Sequence, residues 1–257
     1  MGRQMGISGH ARALRAVLLA WGMACFGPSA NLVAGPLDSI ESAAAIGKSA
    51  EPFGLYTWAL AEGGLRDKWL GVERELEDEL VVLALCEEDR IGCGSPAALR
   101  FLAIVDSARA RDGRARLGEI NRAINLAIRP VSDVSQYGAI DVWSSPLMTF
   151  AKGAGDCEDY AIAKFVALRL AGIAAEDVKL LILHDTLRNE DHAVVAARLD
   201  GRWLTLDNRR MAMVEDISLK NVLPTFLIDR DGVRQYQDAP LPAFAERDRV
   251  SVSSIDY

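Results

Sequence analysis

The sequence predicts an α+β fold, with helices in the first part of the chain, a buried central helix, and antiparallel strands after it. Three observations predict this. Apolar residues recur at helical spacing through VERELEDELVVLALCEE, SPAALRFLAIVDSARA and RLGEINRAINLAIR, between residues 72 and 129. In the next helical segment, GAGDCEDYAIAKFVALRLAGI, only Lys164 and Arg169 are charged between Ala161 and Ala171, so most of its circumference is apolar and it belongs inside. From residue 178 the pattern turns β-rich, and Asp200-Gly201 and Asp231-Gly232 supply hairpin turns. Helices followed by strands is the order of an α+β domain.

The chain begins like an address. Residues 1–15 carry Arg3, Arg12 and Arg15 and no acid, an apolar run from Ala16 to Phe26 follows, and then come the small residues and turn formers of GPSANLVAG. A basic start, a short apolar run and a small-residue exit make a secretory signal. The run is about half of the ~20 residues a membrane-spanning helix needs. Residues 1–34 are therefore expected to be a signal peptide, and 35–257 a single domain that works in the periplasm. Cys25 in GMAC resembles a lipoprotein acylation site, with Gly22 where Leu is usual. Loss of three arginines and no acid takes the formal charge from -7 to -10, so the domain carries no basic footprint for nucleic acid.

Residues 36–68 are weakly patterned, with PFGLYTW (52–58) as an extended lead-in. The first helix is predicted over 72–88. Ser95 caps the second, Pro96 fits its first position, and the third stops before Pro130. SDVSQYGAIDVWSSP then reads as turns. The central helix has Asp156 as N-cap, Glu158 and Asp159 against its positive end, and Gly172 as its stop. Strands are predicted at 178–185, 192–199, 202–207 and within 224–237. An exported chain meets oxidising conditions. Cys86 and Cys93, with Gly92 and Gly94 to help the turn, are expected to pair and leave Cys157 free.

Cys157 stands at the first turn of the central helix, where unpaired N–H groups and the helix dipole favour a thiolate. Position alone leaves open a packed core cysteine. A thiol nucleophile needs a base and a group that orients it, and after residue 34 only His184 and His192 remain. With a two-residue turn at 200–201, Leu199 pairs with Arg202 and Val194 with Asp207. Because side chains alternate along strands, His192 and Asp207 then share a face as diagonal neighbours. One residue more or less in the loop would separate them.

These residues carry a resemblance. From INRAINLAIRPVSD through GDCEDYA to DHAVVAARL and LTLDN, about residues 75–210, the chain is similar to the bacterial transglutaminase-like cysteine proteinases, and Trp143 and Pro146 match the W-x-x-P that precedes their catalytic loop. The resemblance implies a papain/transglutaminase-like fold in which Cys157 is the nucleophile, His192 the base and Asp207 its orienter. It implies a calcium ion held by Asp156 and Glu158, although the same acids alone would suit a helix cap. It also implies a protein substrate, an alanine-rich site in a giant surface adhesin of biofilms, and an inner-membrane receptor governed by cyclic-di-GMP. The oxyanion hole is expected from the Cys157 N–H and a donor within 137–146. Other uses of the same residues are a transglutaminase or amidase-type acyltransferase, and a non-catalytic calcium-binding module. The DRDG at 229–232 lacks the later acid of an EF-hand.

Overall fold

The computed structural model describes residues 48–237. The expected signal peptide, its boundary at residue 35 and the last twenty residues of the chain lie outside them.

A short 3-10 turn, Pro52–Gly54, and strand β1, Thr57–Ala59, lead into helix α1, Gly64–Glu88. That helix starts eight residues before the predicted Val72, because Leu65 and Trp69 continue the buried stripe of Val72 one and two turns further back. Cys86 and Cys93 form a disulfide that ties its end to the turn before α2, Pro96–Arg109. Ser95 caps α2 by accepting the Ala98 N–H at 3.2 Å. Helix α3 is Gly113–Ala127, and Pro130 follows it in the two-residue strand β2, Arg129–Pro130.

The stretch read as turns contains one short helix, α4 (Asp133–Tyr137), and its last residue opens a second, α5 (Pro146–Lys152). Both end on a glycine in the left-handed region, Gly138 at φ 68° and Gly153 at φ 61°, which is why turn chemistry dominates the sequence there. Strand β3, Ala154–Gly155, then pairs in parallel with β2. Helix α6, Cys157–Leu170, follows, and every residue from Glu158 to Leu168 is buried.

Strands β4 (Val178–Asp185), β5 (Glu190–Leu199), β6 (Arg202–Leu206), β7 (Val214–Glu215), β8 (Val222–Asp229) and β9 (Gly232–Tyr236) complete the described residues. With β1 they form one antiparallel sheet in the order β1-β9-β8-β4-β5-β6-β7. Asp200 and Gly201 both have positive φ, as a two-residue hairpin turn requires, and Leu199 pairs with Arg202 as the sequence predicts.

The sheet has two covered faces. Leu180, Ile182, Ala193, Val195, Ala197, Leu204 and Leu206 pack with the helices, and the alanines of β5 let α6 lie close. Leu181, Leu183, Val194, Ala196, Trp203, Leu227 and Tyr236 form a second cluster behind. The segment before β1 crosses that rear face, where Ala50 O accepts the Trp203 indole N–H at 2.9 Å. In the DRDG turn, Asp229 holds the buried Lys179 Nζ at 2.6 Å.

Candidate active site

Three features of the fold build the site. Parallel pairing of β2 with β3 sets the segment after α3 beside the segment before α6. The start of α6 then brings Cys157 to β5, with Asp156 and Glu158 on either side of it in sequence. Strand β6 ends at Leu206, opposite Val195, whereas β5 runs back to Glu190, so the first part of β5 has no β6 neighbour. Cys157 enters there. Its sulfur takes the backbone N–H of Ala193, the residue after His192.

On β5 and just past β6, His192 Nε2 and Asp207 Oδ1 lie 2.8 Å apart, both residues buried. The diagonal register argued from the hairpin accounts for this. Asp207 Oδ1 also accepts the Arg209 N–H at 2.9 Å. Burial pushes the Asp207 carboxyl up, but the His192 hydrogen bond and charge, the Arg209 N–H and the Lys164 charge outweigh it and leave the group below its ordinary value. His192 Nδ1 is buried with no hydrogen-bond partner. A second pair, His184 Nδ1 with Asp191 Oδ1 at 3.0 Å, lies one register step away on the opposite face of β5.

The nucleophile's surroundings differ from expectation in two ways. The Cys157 thiol donates to Glu158 Oε2 at 3.2 Å. Burial, and then the Glu158 charge, push the thiol well above its ordinary value instead of below it, against the lowering by the Ala193 N–H. The helix dipole is outweighed by burial and by the neighbouring Glu158 and Asp156 charges. Asp156 does occupy the N-cap position, yet its side chain makes no cap bond. Its Oδ2 instead accepts the Asp133 N–H at 3.2 Å.

Asp133 is the residue that sequence reasoning missed. Ligand oxygens of Asp133, Asp156 and Glu158 all lie within 4.8 Å of one another. Nothing near Cys157 in sequence points to a residue 24 positions earlier; only the β2–β3 pairing brings it in. Asp159 turns away from this cluster. Its Oδ1 accepts the Ser144 N–H at 2.9 Å, and burial raises it to about 7. A side chain on Gly155 would meet that carboxylate, its Cβ only 2.4 Å from Oδ2. The Val142 N–H goes to Asp133 and the Trp143 indole N–H to Asp141. Three donors of the stretch expected to supply an oxyanion hole are thus spent on shaping the loop.

Beside His192 and Asp207 a cavity of about 400 Å³ opens, lined by Leu183, Val194 and residues 218–222. Arg188 and Arg209 at its edge are matched by Asp185 at 2.8 Å and Glu190 at 2.7 Å.

A thiol at the start of a buried helix, set against a strand with a histidine–carboxylate pair, defines the papain- and transglutaminase-like class of cysteine hydrolase. The family model for the bacterial transglutaminase-like cysteine proteinases, BTLCP, matches residues 82–218, more than half of the chain, and the chain belongs to that family. It is a transglutaminase-like cysteine proteinase. Among solved structures it is similar to Legionella pneumophila LapG, at 20% identity over 66% of this chain and 93% of that one, with a TM-score of 0.50. A calcium-bound LapG structure matches at 18% identity over 67% and 99% of the two chains, TM-score 0.51. An EGTA-treated one matches at 21% over 60% and 83%, TM-score 0.50. These likenesses establish the fold. No curated protein sequence matches the chain.

Proposed function

We propose that this proteinase is an exported, calcium-dependent endopeptidase that hydrolyses a surface protein through Cys157, His192 and Asp207. The observation that carries the reading is the His192–Asp207 pair at 2.8 Å, with the other imidazole nitrogen left without a partner beside the strand edge that receives the Cys157 sulfur.

The chemistry follows from that arrangement. His192 Nδ1 takes the thiol proton as sulfur attacks a peptide carbonyl, and Asp207, ionised below its ordinary range, holds Nε2–H and stabilises the imidazolium. His192 then gives the proton to the leaving amine as the C–N bond breaks. Water activated by the same imidazole cleaves the thioester and releases the free thiol.

The carboxylates fit a hard cation. Asp133 Oδ1 and Asp156 Oδ1 are buried without a hydrogen-bond partner, and burial followed by the Asp156 charge drives Glu158 far above its ordinary value. Three oxygen donors converging with orphaned atoms are the start of a calcium shell. Asp133, Asp156 and Glu158 would hold the ion, and its charge would neutralise the carboxylates that oppose a Cys157 thiolate. A LapG structure with calcium bound supports the reading. The basic and apolar pattern of residues 1–34 supports export to the periplasm. The family resemblance supports an adhesin as substrate, with a membrane receptor as partner.

The test is cleavage of an alanine-rich reporter peptide by the mature chain and by Cys157→Ala, with and without an added primary amine. Wild type should release two peptides with no amine incorporated, and the variant should be inactive but folded. Cleavage by Cys157→Ala overturns the nucleophile, and amine incorporation makes the protein an acyltransferase.

A further inference from the structure

Helix α3 carries a polar stripe that runs along the connection between β6 and β7. Arg114, Gly118, Asn121 and Asn125 are spaced i, i+4, i+7 and i+11, so they lie in one row. Asn125 Nδ2 donates to Asp207 O at 2.9 Å and Arg210 O at 3.3 Å. Asn121 Nδ2 donates to Arg210 O at 3.0 Å and Met211 O at 3.1 Å. Arg114 reaches Met213 O at 2.8 Å, and Gly118 leaves room for the Met213 methyl. Four carbonyls between 207 and 213 thus accept from one helix face. Because the facing groups are all acceptors, each asparagine must present its nitrogen to the loop.

The arrangement is costly as mere packing. Asn121 is wholly buried, and the Oδ1 atoms of both asparagines are buried without a partner. A buried oxygen without a partner costs its full desolvation, which an apolar residue would avoid. What the stripe secures is the first residue after β6, whose own strand ladder has ended and whose carboxylate must meet His192.

We propose that Asn125 and Asn121 are positioning residues of the hydrolysis, holding the main chain of the 207–211 turn so that Asp207 stays aimed at His192. The proposal rests on the Cys157–His192–Asp207 reading. Misplacing a reacting group by about 1 Å costs as much as 100-fold in rate. Arg114 holds the far end of the same segment and serves as the structural control.

The experiment compares Asn125→Ala, Asn121→Ala, Arg114→Ala and Asp207→Ala in the mature chain with calcium present. Read out kcat and KM on the reporter peptide, Tm, and the low-field proton resonance of the His192 Nε2–H···Asp207 bond. Asn125→Ala should lose about 10–100-fold in kcat with KM within about twofold, and its low-field resonance should shift or broaden. Arg114→Ala should keep kcat within about threefold and keep the resonance, even where its Tm falls as far. Asn125→Asp turns a donor into an acceptor against two carbonyls and should be at least as impaired as the alanine variant. Should Asn125→Ala fail to fold, Asn125→Ser gives the same kcat and resonance comparison. Full kcat in Asn125→Ala beside an inactive Asp207→Ala overturns the positioning role and leaves the triad standing. Equal kcat losses in Asn125→Ala and Arg114→Ala that track Tm make the stripe purely structural. An active Asp207→Ala removes the triad, and the positioning role with it.

Discussion

The two ends of α6 are built to opposite standards. At the C-terminal end Leu168 is wholly buried, and the last carbonyls are all taken: Ile173 N–H to Leu168 at 3.1 Å, Gly172 N–H to Arg169 at 3.0 Å, and Arg109 Nε to Leu170 at 3.0 Å. Gly172, at φ 89°, closes the helix in the conformation that suits glycine. At the N-terminal end the N-cap side chain does not cap, acids are buried beside a thiol, and Asp156 Oδ1 and Asp159 Oδ2 lack partners. One end satisfies its groups and stabilises the fold. The other crowds acids whose charge a proton or a bound cation would relieve, which is how sites, not cores, are built.

The largest expected effect separates these roles. Asp207→Ala should lower kcat/KM by about 10³–10⁴-fold, the scale of losing an orienting carboxylate, with little change in Tm. Leu168→Ala should do the reverse. A buried Leu→Ala costs about 2–5 kcal/mol, which lowers Tm by roughly 5–15 °C in a domain of this size, while the folded fraction keeps its kcat. Thermal melts beside initial rates at 20 °C check both. A Leu168→Ala enzyme that is folded yet inactive would erase the division.

Next in size is the response to calcium. A ligand present at about 100 times its Kd adds roughly 2.7 kcal/mol of stability, so millimolar Ca²⁺ after EGTA treatment should raise Tm by about 5–10 °C. Magnesium, which prefers a tighter octahedron and keeps its waters, should do much less. Asp133→Asn, Asp156→Ala and Glu158→Ala should each lose most of the rise, whereas Asp159→Asn should keep it, since that carboxylate faces Ser144. A rise retained in Asp133→Asn would return the acids at α6 to a capping role.

Much of this was legible because it is local. Helix periodicity, the DG turn and strand alternation are short-range rules, and together they place His192 and Asp207 on one face. The disulfide was legible for the same reason, since Cys86 and Cys93 close a seven-residue separation. What escaped depends on long-range pairing. Asp133 joins Asp156 only through two residues of parallel strand, and α4 and α5 hide in a segment whose glycines and prolines speak for turns. The thiol's upward shift escaped because a helix-end argument counts the dipole and not the neighbours. Burial first, and then Glu158 at 3.2 Å, push it up.

The smallest effect tests where the two standards meet, at Lys164, two turns along α6. Its Nζ is buried without a hydrogen bond, 5.8 Å from the Tyr160 ring centroid. Burial lowers the amine to about 7, against the raising effect of the Asp207 charge. In the unfolded chain a lysine keeps its proton to about 10.4. Between those values the unfolded state holds a proton that the folded state has given up, so this group makes stability rise with pH from about 7 to about 10. Below about 7 its destabilising effect is complete. Lys164→Met removes the titration and keeps the bulk. At pH 6 the variant should therefore melt a few degrees above wild type, and by pH 10 the gap should close. Lys164 also helps keep Asp207 ionised, so its loss should move the acid limb of the kcat/KM profile to higher pH. Melting curves at pH 6, 8 and 10 with a pH–rate profile decide the matter. An unchanged gap across that range would mean that Lys164 is solvated or paired in solution, and that the well-satisfied stretch of α6 begins closer to Cys157 than Lys164.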